Sequence, residues 1–329
     1  MSKPKVFVTQ PIADSALARL RAVAEVEVNT DSSQVLPKDK LIAGVKRADI
    51  LMSLLHDTVD RDVLTANPDL KAVSSMNITQ DRIDLASATE LGIPVTNIPA
   101  IVTDATADIA FGLLLAVARN IALGDKLFRQ GIYPGSQSNH LAGFAVAGKT
   151  LGLVGFGRIG QAVARRGRGF GMKIIYSDPR RLPEAEEKVF EAGHRSFDDL
   201  LREADFVSLH PQLTPETRHL MSDAQFALMK PTAFVVNTSR GPVIDEAALV
   251  RALQAKKIAG AGLDVYEHEP QVSPDLVAMP NVVLTPHLGS AVLELREGMA
   301  HVVVDNTIAL IEGRPPVSSL NPQALKKLF

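Results

Sequence analysis

Short apolar runs alternate along the chain with longer segments in which apolar residues recur at helical spacing. This alternation is typical of parallel α/β sheets, in which helices connect successive strands. In the first third of the chain, helical segments such as Ala13–Ala24 and Lys38–Ala48 separate the apolar runs. The predicted strands are Lys5–Thr9, Glu25–Asn29, Asp49–Leu54, Ala72–Met76 and Pro94–Asn97. This part of the chain therefore predicts one small doubly wound sheet.

A second series of strands begins after Lys149. Its members are rich in Val, Ile, Leu and Ala and carry few charges, as expected for strands that helices cover on both faces. The six predicted strands are Thr150–Val154, Lys173–Ser177, Phe206–His210, Ala233–Thr238, Gly260–Val265 and Val282–Thr285. Long apolar helices, about Asp104–Asn120 and Ala291–Glu312, bracket this series. Six parallel strands with helical crossovers make a complete dinucleotide-binding sheet, so the chain is predicted to be α/β with two doubly wound parallel-sheet domains.

Composition narrows the classes of function. The 329 residues suit two domains, and 46% of them are hydrophobic, enough for a core in each. The formal charge of −2 argues against a dedicated binder of nucleic acid or of a membrane surface, which would need a basic excess. The absence of cysteine excludes disulfides, thiolate nucleophiles and cysteine metal sites. No apolar run reaches a secretory or bilayer-spanning length, so the expected location is the cytoplasm.

A GxGxxG motif lies where the first strand of the second series ends. In such a motif one glycine allows a tight turn, one lets the backbone approach a pyrophosphate, and one lets the helix pack closely on the sheet. The pyrophosphate then lies at the helix N-terminus, where amide donors and the helix dipole favour negative charge. Glycine-rich turns alone are weak evidence, but here a strand precedes the motif and the helix Arg158–Arg166 follows it. The predicted dinucleotide contacts are Gly155, Gly157, Arg158, Ile159 and Gly160.

The choice of dinucleotide depends on the residues after the second strand of this series. Asp178 lies at the distance from the glycines at which an acidic residue meets the ribose hydroxyls. A carboxylate repels a 2′-phosphate and so favours NAD, but Arg180 and Arg181 follow immediately and could accept that phosphate. The alternative interpretation of the two arginines is a solvated loop. NAD is therefore the predicted cofactor, with NADP as the alternative.

Three later strands each run into a chemically reactive residue: Arg240, Glu269 and His287. The carboxyl ends of parallel strands meet at one edge of a sheet, so these side chains can converge. Reduction of a 2-keto acid needs a proton donor, and histidine titrates near neutral pH. A neighbouring carboxylate stabilises the imidazolium and orients the ring, while arginine offers a planar fork for carboxylate and carbonyl oxygens. Each residue alone has a structural explanation as a capping or turn residue, and only their joint placement favours catalysis.

Other residues at the same strand ends are candidates for contact with the cofactor. They are His210, Thr238, Asp264 and Gly289, of which Asp264 could equally be structural. No spacing typical of metal ligands stands out, so no metal site is predicted.

Five segments of the chain resemble the D-isomer-specific 2-hydroxyacid dehydrogenase family. They are Thr103–Asp108, Gly155–Gly160, Asn237–Asp245, Gly262–Pro270 and Thr285–Ala291. The resemblance covers nearly the whole chain and is greatest to glyoxylate/hydroxypyruvate reductases. It implies that Arg240 binds the substrate, that His287 is the general acid/base and that Glu269 pairs with it. It also implies that two copies of the chain form a homodimer. The other expected partner is a small 2-keto or 2-hydroxy acid substrate, and neither nucleic acid nor a membrane is expected.

The resemblance further implies a discontinuous domain arrangement. A smaller flavodoxin-like substrate domain would comprise residues 1–100 and 290–329, and a Rossmann dinucleotide-binding domain, residues 101–289, would be inserted into it. The expected substrate loop contains Asn77, Ile78 and Thr79, with Thr79 where relatives usually have glycine. This departure leaves the substrate open: phosphoglycerate, D-lactate or a branched acid are alternatives to glyoxylate and hydroxypyruvate. A more distant alternative is a non-enzymatic protein that senses NADH.

Overall fold

The computed structural model describes residues 3–31, 33–133, 135–136 and 139–325. It divides into two compact units. Unit 1 joins Met1–Ile101 with Ala291–Phe329, and unit 2 comprises Val102–Ser290. Residues 1–2 and 326–329, which the sequence assigns to the substrate domain, lie outside the described residues. The assignment of one unit to the substrate and the other to the cofactor stays a prediction at this point.

Unit 1 contains a parallel sheet of five strands in the order β2-β1-β3-β4-β5. The strands are β1 (Lys5–Val8), β2 (Glu25–Val28), β3 (Ile50–Ser53), β4 (Ala72–Ser75) and β5 (Val95–Thr96). The helices are α1 (Asp14–Val23), α2 (Lys38–Val45), α3 (Arg61–Thr65), α4 (Leu85–Leu91), α13 (Leu293–Ile311) and α14 (Pro322–Leu325). Buried Phe7, Leu51 and Val73 pack on one face of this sheet with the apolar sides of α2, α3 and α4, which explains why these short runs form strands.

Unit 2 contains a parallel sheet of seven strands in the order β12-β11-β10-β9-β6-β7-β8. The strands are β6 (Thr150–Val154), β7 (Lys173–Ser177), β8 (Ala192–His194), β9 (Phe206–Leu209), β10 (Phe234–Asn237), β11 (Gly260–Leu263) and β12 (Val282–Leu284). The prediction of two doubly wound parallel-sheet domains is confirmed, but the expected count of six strands here is wrong. The missing strand is β8, an edge strand of three residues without a β-branched or aromatic side chain, so it leaves no strand pattern in the sequence.

The helices of unit 2 cover both faces of its sheet. They are α5 (Thr103–Ala118), α6 (Ile121–Arg129), α7 (Arg158–Gly169), α8 (Glu184–Phe190), α9 (Phe197–Glu203), α10 (Asp223–Phe226), α11 (Glu246–Gln254) and α12 (Pro274–Ala278). Successive strand residues alternate between two cores: Val207 and Val235 belong to one, Phe206 and Phe234 to the other. Burial on both faces is what the uncharged strand sequences predict.

The helix predicted to reach Asn120 ends two residues earlier. Asn120 adopts a left-handed backbone conformation with φ of 54°, which asparagine tolerates better than most residues, and α6 begins directly after it. Among the described residues no single helix is long and apolar enough to cross a membrane, whereas the pair Thr103–Ala118 and Ile121–Arg129, bent by 66°, reaches that length and composition together.

Candidate active site

The glycine-rich turn after β6 is shaped by contacts that exclude side chains. Gly155 has φ of +84°, and a Cβ atom there would lie 2.8 Å from the backbone of His210. A Cβ atom on Gly160 would lie 2.3 Å from the carbonyl oxygen of Gly155. Gly157, by contrast, is exposed, and a Cβ there would have no atom of the described residues within 4 Å. The turn therefore packs tightly on its inner side and leaves open space beside its backbone, as the approach of a diphosphate requires.

The first turn of α7 presents backbone donors to this space. Gly157 is the N-cap of the helix, and Arg158 and Ile159 are its first two residues. The first N–H groups of a helix have no acceptor within the helix, and they add to the positive end of its dipole. An anion placed at this end would receive several hydrogen bonds, with the exposed Arg158 side chain nearby.

Asp178 closes the same region from the end of β7. Its Oδ2 accepts a hydrogen bond from the Phe156 amide at 2.8 Å, and its Oδ1 accepts one from the Arg180 amide at 2.9 Å. These bonds fix the carboxylate against the glycine turn. Each oxygen keeps a further lone pair, which suits an acceptor for ribose hydroxyls.

His210 and Thr238 follow β9 and β10 at the same edge of the sheet. The His210 Nε2 is 2.9 Å from the Ser208 hydroxyl, and desolvation of the ring lowers the pKa of His210 to about 3, so the imidazole is neutral. Thr238 is buried, and within the described part of the chain its hydroxyl has no hydrogen-bond partner. A buried polar group without a partner is costly, and a polar group of a bound ligand would satisfy it.

Arg240 lies three residues beyond β10, in a turn that side chains hold in place. The Asn237 side-chain nitrogen Nδ2 donates to the Arg240 carbonyl at 3.0 Å, and the Asn237 side-chain oxygen accepts from the Ser239 backbone amide at 3.0 Å. The next residue, Gly241, approaches the segment after β11 so closely that a Cβ there would lie 1.8 Å from the Tyr266 carbonyl oxygen. The turn with Arg240 is thus packed directly against the segment that leads to Glu269.

Glu269 and His287 form the central pair of the site. The His287 Nδ1 is 3.3 Å from the Glu269 Oε2, and the other carboxylate oxygen accepts from the Tyr266 amide at 3.1 Å. The Glu269 side chain is only 9% exposed, whereas that of His287 is 31% exposed. A buried carboxylate behind one ring nitrogen fixes the orientation and the tautomer of the imidazole.

Asp264 holds the turn that carries His287. Its Oδ1 accepts from the Thr285 hydroxyl at 2.6 Å and from the Leu288 amide at 2.7 Å, and its Oδ2 accepts from the Gly289 amide at 2.8 Å. His287 adopts φ of 54°, an uncommon value for a residue with a side chain, and these three bonds stabilise the turn around it. Burial raises the pKa of Asp264, while the Thr285 and Leu288 hydrogen bonds oppose the rise. The structural role that the sequence allowed for Asp264 is therefore visible, and a contact between Asp264 or Gly289 and a cofactor remains a prediction.

The expected substrate loop lies in unit 1, after β4. Asn77 is buried, and within the described residues its side-chain nitrogen has no hydrogen-bond partner. The Ile98 amide donates to the Asn77 carbonyl, and the Asn97 side chain donates to the Ile78 carbonyl at 3.0 Å. The Thr79 hydroxyl donates to Asp81 at 2.8 Å. The loop is thus well anchored through its carbonyl groups.

One group of supporting side chains was not predicted from the sequence. The Glu246 carboxylate accepts from the Glu267 amide at 3.1 Å and from the Ser273 amide at 2.9 Å, and Glu267 accepts from the Glu246 amide at 3.1 Å. The His219 Nε2 is 2.6 Å from the Glu267 carboxylate. These contacts bracket Glu269, and they agree with a surface or structural role for His219, which is what its sequence position indicates. In the sequence, only the closeness of Glu267 to Glu269 indicated that Glu267 could support the site.

Comparison with known proteins finds relatives over nearly the whole chain. Residues 111–289 match the family model described as "D-isomer specific 2-hydroxyacid dehydrogenase, NAD binding domain". A glyoxylate reductase of Thermococcus litoralis is 46% identical over 327 residues, which cover 98% of each chain. The crystal structure of a glyoxylate reductase from Paecilomyes thermophila is similar with a TM-score of 0.81 and 32% identity, covering 98% of this chain and 100% of that one. An NADPH-dependent glyoxylate/hydroxypyruvate reductase from Sinorhizobium meliloti, solved with NADP and malonate, has a TM-score of 0.80 and 30% identity over 97% of each chain.

Proposed function

The chain belongs to the D-isomer specific 2-hydroxyacid dehydrogenase family, and from this premise we propose that it reduces glyoxylate or hydroxypyruvate to the 2-hydroxy acid with NADH or NADPH. The observation that carries the proposal is the pair of His287 and Glu269, 3.3 Å apart at the edge of the sheet where Arg240 also lies. The names and ligands of the similar proteins support the choice of substrate.

The residues of unit 2 fit a nicotinamide dinucleotide. The open side of the Gly157 turn and the first amides of α7 would hold the pyrophosphate, and Asp178 would meet the adenosine ribose. The buried Thr238 hydroxyl, which lacks a partner among the described residues, is a further contact for the cofactor. When bound, the reduced nicotinamide supplies a hydride. Unit 2 is accordingly the cofactor domain, and unit 1, with Asn77, Ile78 and Thr79, is the substrate domain.

The three side chains at the sheet edge then have separate tasks. Arg240 binds the carboxylate and the carbonyl oxygen of the keto acid with its planar guanidinium, which holds the reacting carbon in place. His287 donates a proton from Nε2 to the carbonyl oxygen as the carbon is reduced. Glu269 stabilises the resulting imidazolium from the Nδ1 side. In the reverse direction His287 accepts the proton from the 2-hydroxyl group.

Two copies of the chain are proposed to associate through α6. None of the residues of this helix is buried, and Phe128 and Tyr133 are 66% and 75% exposed with their rings 5.9 Å apart. An exposed apolar face of this kind favours a self-complementary contact with a second copy. Light scattering on purified protein should give twice the 35.3 kDa chain mass. Phe128→Asp should give the single-chain mass, and a monomeric wild type would refute the dimer.

The cytoplasmic location of the protein likewise stays a prediction.

The activity is tested by following nicotinamide absorbance with purified protein. NADH and NADPH are each combined with glyoxylate, hydroxypyruvate, phosphohydroxypyruvate and pyruvate. We expect the highest kcat/KM with glyoxylate or hydroxypyruvate. A preference for phosphohydroxypyruvate or pyruvate would keep the chemistry and overturn the substrate, whereas dinucleotide binding without turnover on any keto acid would favour the NADH-sensing alternative.

A further inference from the structure

A buried carboxylate on α8 is paired with one of the two arginines next to the proposed ribose site. Arg181 donates from Nε to the Glu187 Oε1 at 2.9 Å and from Nη2 to the Glu187 Oε2 at 3.0 Å. The pair is therefore bidentate, the strongest geometry for an arginine and a carboxylate. The Glu187 side chain is 10% exposed and that of Arg181 is 65% exposed, so the carboxylate is the fixed partner.

The position of Glu187 is determined by the core of unit 2. The Tyr176 hydroxyl donates to Glu187 at 2.7 Å and accepts from the Leu182 amide at 2.9 Å. The Tyr176 ring is fully buried and stacks on Phe156, the residue between the first two glycines of the cofactor turn, with ring centroids 4.3 Å apart. Glu187 is thus tied through Tyr176 to the glycine turn itself.

Arg180 differs from Arg181 in this respect. It is exposed, and its side chain makes no hydrogen bond or ion pair with other residues in the part of the chain that the structure describes. Its backbone amide donates to the Asp178 carboxylate. Of the two arginines that follow the ribose-binding carboxylate, one is available to a 2′-phosphate and the other is already paired.

We propose that Glu187 is a specificity-determining residue that favours NAD over NADP by holding Arg181 in the bidentate pair. This inference rests on the proposed cofactor use. A 2′-phosphate carries negative charge and needs arginine donors that are not already saturated. Glu187 occupies one bidentate edge of the Arg181 guanidinium and compensates its positive charge. Removal of that charge should release Arg181 to the phosphate.

The test is the ratio of the dissociation constants of NADP⁺ and NAD⁺, measured by calorimetry without substrate. Glu187→Gln should lower this ratio about 10-fold, because one charge-assisted contact is gained. Glu184→Gln is the matched control, since it removes the same charge from the exposed side of the same helix, and it should change the ratio by less than about twofold. Arg181→Gln should have little effect alone and should abolish the gain in the double variant.

Three results would overturn the proposal: an unchanged ratio in Glu187→Gln, an equal gain in Glu184→Gln, or a large loss of NADP⁺ affinity in Arg181→Gln alone. Affinity for NAD⁺ shows whether each variant is folded. If Glu187→Gln does not fold, the ratio is measured in Arg181→Gln and Tyr176→Phe instead. Tyr176→Phe keeps the stacking on Phe156 and removes the hydroxyl that anchors Glu187. Tyr176→Phe should lower the ratio, and no change would refute the role of Glu187. A wild type that binds neither dinucleotide would overturn the proposed cofactor use together with this inference, whereas NAD⁺ binding with an unchanged ratio would overturn only the inference.

Discussion

Glu246 offers a test of how the segments with the proposed catalytic residues are held in place, without a change to those residues themselves. Its carboxylate accepts hydrogen bonds from the amides of Glu267 and Ser273, which flank Glu269. Glu246→Ala would leave both amides without this acceptor. Each hydrogen bond to a charged group contributes about 1.5 kcal/mol net at the low end, so the loss of two should lower the free energy of unfolding by about 3 kcal/mol.

The same substitution should also affect the rate. Once the segment is released at both ends, it holds the Glu269 carboxylate less firmly behind His287, although the Tyr266 amide still donates to that carboxylate. Small displacements of a proposed catalytic group are costly. We expect kcat with glyoxylate to fall about 10-fold, equivalent to about 1.4 kcal/mol. The KM for NADH should stay within about twofold, because the glycine turn is untouched.

Urea unfolding and steady-state kinetics on the same preparations measure the two effects. Glu246→Gln is the graded control, since one amide oxygen can replace only part of the carboxylate, and it should fall between wild type and Glu246→Ala in both measurements. If Glu246→Ala loses the expected stability but keeps the wild-type kcat, then Glu246 does not position Glu269, and the reasoning is refuted.

Three further predictions concern other parts of the chain. Arg240→Lys should lower kcat/KM for the keto acid about 10- to 100-fold in steady-state assays, because lysine lacks the planar fork; an unchanged value would refute substrate binding by Arg240. Gly241→Ala should lower the free energy of unfolding in urea by about 1–3 kcal/mol, because its Cβ would overlap the Tyr266 carbonyl. The control Gly298→Ala, on a helix and with open space around its Cβ, should raise the free energy of unfolding. Equal effects of the two variants would contradict the packing at Gly241. Hydrogen bonds from its arginine and tyrosine partners lower the pKa of Glu187 from 4.5 to about 2, so its contribution to stability is present above pH 4.5 and is lost as the pH falls toward 2. Unfolding of Glu187→Gln should therefore depend less on pH across this window, and an identical profile would contradict the pairing.

The regular elements of the sheets were predictable because most strands are buried on both faces and therefore consist of uninterrupted apolar runs. Strand β8 and helix α6 are described elements that this pattern does not predict. Strand β8 has three residues at a sheet edge, and its sequence of Ala, Gly and His carries no strand preference. Helix α6 has no buried residues, so burial does not determine its first and last residues. The helix begins directly after Asn120, whose backbone is left-handed.

The site was predictable to the extent that its chemistry lies at strand ends. Arg240, Glu269 and His287 each follow a strand of one sheet, and parallel order alone places these ends along one edge. The contacts that fix them could not be predicted, because they join residues distant in the chain: His219 and Glu267 are 48 positions apart. The pairing of Arg181 with Glu187 is separated by only six positions, but it depends on the path of the loop before α8, which no periodic pattern determines.

The most direct test of the account is the turnover of His287→Asn with glyoxylate at saturating NADH. Asparagine tolerates the left-handed backbone that residue 287 adopts, so the turn held by Asp264 should persist while the proton donor is lost. The account predicts that kcat falls roughly 10²- to 10⁴-fold. It also predicts that the dissociation constant of NADH, measured by fluorescence, is nearly unchanged. Turnover close to that of the wild type would contradict the assignment of His287 as the general acid, and a wild type without turnover would contradict the proposed reaction itself.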